Sequence, residues 1–145
     1  NLHIMIRYEI EKMIFNGGLK VEDIPATWNK MMQDWFGIEV PGDSLGCLQD
    51  IHWSMGAFGY FPTYTLGNLY AAQLLQTMSE ELGDIDEIIK SGDWSGMLIW
   101  LREKIHAKGS VMTPSELIES ATGSPPSPEP FLNYVEAKYS KLYNL

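Results

Sequence analysis

Hydrophobic side chains cover nearly every side of a helix drawn through residues 2–15. A helix of this kind is typical of a buried position that needs partners around it. Asn16-Gly17-Gly18 follows and ends it, because these residues tolerate the left-handed conformation. A second helix is predicted to begin near Pro25, with apolar positions at helical spacing, and to stop at Gly37.

Residues 37–61 break this helical pattern. They contain five glycines together with aromatic residues and few helix formers, which predicts a structured loop or broken turns. Pro62 then begins a third helix that reaches about Leu82. The apolar side chains on one side of this helix are Leu66, Leu69, Tyr70, Leu74 and Met78.

The remaining pattern is also helical. Two helices are predicted over 84–89 and 94–107, and Thr113-Pro-Ser-Glu116 has the spacing of a capping box that begins another. The proline-rich stretch 123–130 predicts a stiff connector, and the last helix is predicted over 131–142. No strand signal stands out. The expected fold is all-α.

Charge narrows the classes of partner. The chain has 145 residues, a net charge of −9, and no Lys or Arg between Lys30 and Lys90. Binding to nucleic acid requires cations that neutralise phosphates, and an anionic membrane surface attracts the same residues. Both partners are therefore disfavoured. A hydrophobic content of 45% also disfavours disorder.

The cysteine content bears on the cellular compartment of the protein, and the first residues bear on whether the chain is part of a longer one. Cys47 is the only cysteine, which excludes an internal disulfide and suits a reducing cytosol. No apolar run approaches the ~18 residues of a transmembrane helix. The chain opens inside a helical pattern without a signal peptide or an initiator Met, so we expect a segment of a longer protein.

Residues 46–67 hold the densest group of side chains that could do chemistry. Glycines allow a backbone to approach a ligand closely, and His and Tyr can donate hydrogen bonds to an oxyanion. The residue types alone leave two readings open, because such loops are structural more often than catalytic. The polar and aromatic candidates are Gln49, Asp50, His52, Tyr60, Thr63 and Tyr64.

The order of residues in this stretch resembles a known signature. It reads Gly46-x-x-Gln49-Asp50-x-His52-Trp53-x-x-Gly56-x-Phe58-Gly59-Tyr60-Phe61-Pro62-Thr63-Tyr64-x-Leu66-Gly67. This is similar to the long C-terminal signature of the carboxypeptidase Taq family. The resemblance extends to Leu2-His3-x-x-x-Arg7-x-Glu9-x-Glu11 and to Phe131-x-x-Tyr134-x-x-x-Lys138-Tyr139, so it covers essentially the whole chain.

The resemblance implies a helical, zinc-dependent carboxypeptidase that is usually homodimeric. In that family a His-Glu-x-x-His helix and a later Glu hold the zinc, upstream of the segment that this chain resembles. This sequence contains no His-Glu-x-x-His, and His3, His52 and His106 stand 49 and 54 residues apart. We therefore expect zinc in the whole enzyme and no metal ligand in residues 1–145.

Two residues are candidates for catalysis by resemblance. The peptidyl-dipeptidases, more distant relatives, use a His and a Tyr downstream of the zinc helix to hold the tetrahedral oxyanion. His52 and Tyr60 correspond to them. The alternative is that His52 is a hydrogen-bonded core residue and Tyr60 a packing ring.

Two further residues are candidates for the substrate's terminal carboxylate. Tyr64 lies one helical turn beyond Tyr60, although packing is the commoner role of a tyrosine there. Arg7 is the stronger candidate of the two, because a guanidinium can bind a carboxylate through two nitrogens. Its alternative is a structural pairing with Glu11, four residues on, while His3 lies four residues back. Gln49 and Asp50 are expected to orient the site.

Together these expectations describe residues 1–145 as one C-terminal segment of a cytosolic metallocarboxypeptidase catalytic domain. The whole enzyme would release single amino acids from peptide C-termini. The alternative is a non-catalytic helical interaction or dimerisation module that keeps the signature for packing.

Overall fold

The computed structural model describes residues 1–145 and contains seven α-helices and no strand, which confirms the all-α prediction. The helices are α1 (Leu2–Phe15), α2 (Ile24–Phe36), α3 (Pro62–Leu82), α4 (Ile85–Ser91), α5 (Ser95–Lys104), α6 (Pro114–Thr122) and α7 (Glu129–Tyr143). Short 3-10 turns lie at Val21–Asp23, Asp43–Leu45, Trp53–Met55 and His106–Lys108. None of the helices is both long and apolar enough to cross a membrane.

Several helix boundaries differ from the sequence prediction by one to three residues, and two of them have a clear cause or consequence. The helix predicted over 94–107 ends at Lys104, and the chain continues as the 3-10 turn that precedes Gly109. The last helix begins at Glu129, inside the predicted connector, because Pro130 is tolerated in a first turn whose N–H groups have no helical partner. The capping box is confirmed: Glu116 accepts from the Thr113 backbone N–H at 2.8 Å.

The chain divides into two compact units, residues 1–66 and 67–145. In the first unit, α1 and α2 pack together and the loop between α2 and α3 closes over them. Its buried core consists of Ile6, Ile10, Trp28 and Cys47. The prediction that residues 1–145 form one domain segment stays a prediction, since one domain can contain two such units.

The second unit has its own core around Met78, Ile85 and Trp100. The connector between α6 and α7 is held by Gln73 of α3, whose Nε2 donates to the Pro125 carbonyl at 3.1 Å. The Gln73 Oε1 accepts from the Ser127 backbone N–H at 3.0 Å. These bonds fix a stretch that has no helical hydrogen bonds of its own.

Helix α1 is buried on one face, whereas its sequence predicts burial on most sides. The buried face carries Ile4, Ile6, Arg7, Ile10 and Glu11. Leu2, Met5, Tyr8, Met13 and Phe15 are exposed. The buried face therefore places one cation and one carboxylate against the loop that holds the candidate residues.

Candidate functional site

The candidate residues lie where the loop meets the start of α3. His52 precedes the 3-10 turn Trp53–Met55, and Tyr60 precedes Pro62, so Tyr64 falls in the first turn of α3. Gly56 and Gly59 have φ of +74° and +73°, a left-handed conformation that costs other residues energy. These two turns bring the chain back toward His52.

His52, Tyr60 and Tyr64 form one aromatic group, which we call the His52 cluster. The His52 ring is stacked on Tyr60 at 5.7 Å and lies edge-on to Tyr64 at 5.9 Å between ring centroids. Phe61 contacts His52 at 4.7 Å and is only 1% exposed. By contrast Tyr60 is 49% and Tyr64 43% exposed. The cluster therefore packs on the buried Phe61 ring and has two accessible phenol rings.

A chain of hydrogen bonds connects the cluster to α1. Arg7 Nε donates to Asp50 Oδ2 at 2.9 Å, and the other oxygen of Asp50 bonds to His52 Nδ1. On the far side of the ring, His52 Nε2 lies 3.1 Å from the Tyr64 hydroxyl. The structure thus brings together all four predicted site residues, with Asp50 as the connection between Arg7 and His52.

Asp50 is held in its charged form. Burial acts to raise the pKa of its carboxyl group, but the hydrogen bond from His52 and the charge and hydrogen bond of Arg7 outweigh burial. The net effect holds the pKa of Asp50 below its usual value. At neutral pH the Asp50 side chain is therefore an acceptor only.

Arg7 is 8% exposed and is held from several directions. Its Nη1 donates to the His3 carbonyl at 2.7 Å and to His3 Nδ1 at 3.0 Å. The guanidinium carbon lies 4.7 Å from the centre of the Trp28 ring, within the range of a cation–π contact. Its carboxylate partner is Asp50. The alternative to substrate binding, in which Arg7 pairs with Glu11 on the same helix, therefore named the wrong carboxylate.

The sequence predicted Glu11 only as a possible partner of Arg7 and did not predict its contacts with the loop. Glu11 is buried and accepts from Trp53 Nε1 at 2.8 Å and from the Gly59 backbone N–H at 3.1 Å. It therefore holds the loop before the glycine turns, at Trp53, and again at the second of them, Gly59. The available signal was the i, i+4 spacing of Arg7 and Glu11, which puts both on one face of α1.

Gln49 holds the loop, and no contact with the His52 cluster involves it. Its Nε2 donates to the Ser44 carbonyl at 2.7 Å, closing the turn that precedes Asp50. The expected orienting role thus divides in two. Asp50 contacts His52 directly, and Gln49 shapes the backbone before it.

The donor set of residues 1–145 does not fit a catalytic zinc site. Nowhere in the structure do three or more His, Cys, Asp or Glu side chains come together as a metal-binding group. His3 and His52 each already use Nδ1 in a hydrogen bond, with Arg7 and Asp50 respectively.

Comparison with known proteins gives the site its context. The family model described as carboxypeptidase Taq (M32) metallopeptidase matches residues 1–139. The chain belongs to the metallopeptidases, and among them to the carboxypeptidase Taq (M32) family.

Two curated relatives are similar over almost the whole chain. Thermostable carboxypeptidase 1 of Thermus thermophilus is 47% identical over 143 residues, and carboxypeptidase 1 of Bacillus subtilis is 46% identical over 144. Each match covers 99% of this chain. The chain spans only 28% and 29% of the length of these relatives.

Solved structures agree with the fold. The M32 carboxypeptidase from Deinococcus radiodurans superposes with a TM-score of 0.95 at 36% identity, over 100% of this chain and 29% of its own. Metallocarboxypeptidase 1 of Trypanosoma cruzi superposes with a TM-score of 0.91 at 44% identity, over 95% of this chain and 29% of its own.

Proposed function

We propose that this chain works as part of a metallocarboxypeptidase that releases single amino acids from the C-termini of peptides. Its contribution is one wall of the active site, formed by the His52 cluster. The observation that carries the proposal is the clustering of His52, Tyr60 and Tyr64 above a buried Phe61, in a member of a metallopeptidase family. Relatives more than three times as long leave room for the metal-binding residues elsewhere.

Tyr60 is the proposed oxyanion donor. When water adds to the scissile carbonyl, negative charge builds on the carbonyl oxygen, and a donor aimed at that oxygen lowers the barrier. The phenol of Tyr60 is half exposed, so a substrate can reach it. Its ring is held against His52 and Tyr64, which reduces the freedom of the hydroxyl before substrate binds.

His52 is the second proposed donor. Because Nδ1 faces Asp50, only Nε2 is directed toward Tyr64, which is 43% exposed. Nε2 can donate to an oxyanion when the ring carries a second proton, and the Asp50 carboxylate balances the charge of that imidazolium. A charge-assisted donor is roughly twice as strong as a neutral one.

Tyr64 and Arg7 are competing candidates for the contact with the substrate's terminal carboxylate. Tyr64 is 43% exposed, and its hydroxyl can turn from His52 Nε2 to a carboxylate once Nε2 is protonated and no longer accepts. Arg7 is buried and uses Nε and Nη1 in bonds to Asp50 and His3, so a direct contact requires its remaining nitrogen. Tyr64 is therefore the better supported of the two.

We extend the proposal to the whole protein's environment. The metal would be zinc bound by residues outside this chain, the assembly a homodimer, and the compartment the cytosol. The lone buried Cys47 suits a reducing compartment.

The direct test compares residues 1–145 with a protein of the relatives' length that contains them. We expect the longer protein to release the C-terminal residue of a blocked dipeptide and to lose this activity to a chelator. Residues 1–145 alone should hydrolyse nothing and retain no zinc after dialysis. A metal-loaded longer protein that releases no C-terminal residue would instead support the non-catalytic module.

A further inference from the structure

The position of the protons on His52 follows from its neighbours. An ionised carboxylate can only accept hydrogen bonds, so the contact between Asp50 and His52 Nδ1 requires a proton on Nδ1. In the neutral imidazole the other nitrogen, Nε2, then has a free lone pair. The Tyr64 hydroxyl at 3.1 Å donates to it.

The Asp50 carboxylate is itself fixed. Arg7 Nε donates to Oδ2 while His52 donates to Oδ1, so each oxygen has a different partner and the carboxylate cannot turn over without breaking both bonds. The guanidinium is held in turn by the His3 carbonyl and the Trp28 ring. Nothing in this arrangement requires Arg7 or Asp50 to touch a substrate.

We propose that Arg7 and Asp50 are positioning residues that keep Nδ1 of His52 protonated and leave Nε2 as the only ring nitrogen that exchanges a proton. Nε2 accepts from Tyr64 in the resting site and donates when it is protonated. The donation from Nε2 to a substrate rests on the proposed function. The protonation of Nδ1 is independent of that function, because it follows from contacts within residues 1–66.

Asp50→Asn should reverse the arrangement with almost no change in shape. Arg7 can only donate, so the carbonyl oxygen of the introduced amide faces Arg7 and its NH2 group faces His52. Nδ1 must then accept, and the proton moves to Nε2. Such a ring can no longer accept from Tyr64, and it becomes an imidazolium only by losing the bond from the amide.

The experiment is nitrogen-15 NMR of the complete enzyme labelled at histidine, which distinguishes the two tautomers. The His52 signals are assigned by their loss in His52→Gln. We expect a proton on Nδ1 in the wild type and on Nε2 in Asp50→Asn. We also expect kcat of Asp50→Asn to fall by at least about 10-fold with KM changed less than ~3-fold, since a charge-assisted donor is lost.

Asp34→Asn is the matched control. It makes the same carboxyl-to-amide change in the exposed ion pair with Lys30 on α2, and should leave both the tautomer and kcat unchanged. The proposal would be overturned if Nδ1 carries no proton in the wild type, or if Nδ1 keeps its proton in Asp50→Asn.

Tyr64→Phe provides a second test that does not disturb the buried ion pair. It should keep the proton on Nδ1 and shift the Nε2 signal, because the hydroxyl donor is gone. An unchanged Nε2 signal would overturn the Tyr64 contact. The tautomers are read without turnover, so an enzyme that shows them as expected yet cleaves no peptide supports the positioning role and removes only the proposed function.

Discussion

Arg7 combines a full positive charge with burial on α1, and its surroundings decide what that charge can do. The Trp28 ring and the His3 carbonyl hold the guanidinium on one side, and the Asp50 carboxylate neutralises it. Loss of one partner of a buried pair leaves the other charge uncompensated, which is strongly destabilising in many proteins. Arg7 therefore matters to the site whether or not a substrate reaches it.

Two roles for Arg7 predict different kinetics. If Arg7 positions His52 through Asp50, Arg7→Ala should lower kcat. The inhibition constant of the released amino acid, a competitive inhibitor, should then change less than ~3-fold. If Arg7 grips the substrate carboxylate, inhibition by the amino acid should weaken strongly and inhibition by its amide should not. We expect the first result.

The control for this pair of measurements is Arg102→Ala, which removes the same charge from an exposed position on α5. It should change neither kcat nor inhibition. If Arg7→Ala weakens inhibition by the free amino acid and not by its amide, Arg7 binds the substrate carboxylate directly and the positioning role is wrong.

At the scale of elements, the loop between α2 and α3 depends on one close approach. A Cβ built on Gly46 would lie 2.7 Å from Val40 Cγ1, with the Gly42 carbonyl at 3.3 Å and the Trp28 ring at 3.4 Å. Trp28 belongs to the core and Gly42 contributes backbone, so little room exists for the neighbours to move. The chain passes over α2 here because position 46 has no side chain.

Gly46→Ala should therefore destabilise the protein by about 1–3 kcal/mol, the usual cost of overpacking. Gly67→Ala adds the same methyl group inside α3, where nothing lies within 4 Å, and should stabilise by roughly 0.5–1 kcal/mol through helix propensity. Denaturant unfolding of both variants measures the difference. Equal stability of the two variants would show that the approach of the loop at Gly46 is not tight.

Helices with strong local signals could be predicted from the sequence, and long-range contacts could not. Pro62 marked the start of α3, and the Thr113–Glu116 spacing marked that of α6, because caps and prolines act within a few residues. The pairing of Arg7 with Asp50 joins positions 43 residues apart in sequence. Spacing along one helix suggested Glu11 as its partner, and only the packing of the loop on α1 shows otherwise.

At the scale of the whole molecule, the resemblance supplied what spacing could not. It selected His52 and Tyr60, while helical spacing added Tyr64 and the chemistry of the guanidinium added Arg7. The structure brings all four into one hydrogen-bonded and aromatic group. Periodicity could not tell which side of α1 packs within this chain, because apolar residues occur on both. The fold and family are thus well predicted, while the proton arrangement in the site required the geometry.

The central claim is that the His52 cluster stabilises charge during peptide hydrolysis. Tyr60→Phe tests it most directly, because the ring and its contacts remain and only the hydroxyl donor is removed. In a complete enzyme we expect kcat to fall by ~10²–10³-fold, the usual loss for one oxyanion donor. KM should stay nearly unchanged, because the bond strengthens only as charge develops.

Tyr143→Phe is the matched control, since it removes a hydroxyl from an exposed ring stacked on Tyr139 at the end of α7. It should leave kcat at the wild-type value. A Tyr60→Phe enzyme that binds metal normally and retains more than about a third of wild-type kcat would contradict the claim. The aromatic cluster would then serve the architecture of the loop alone.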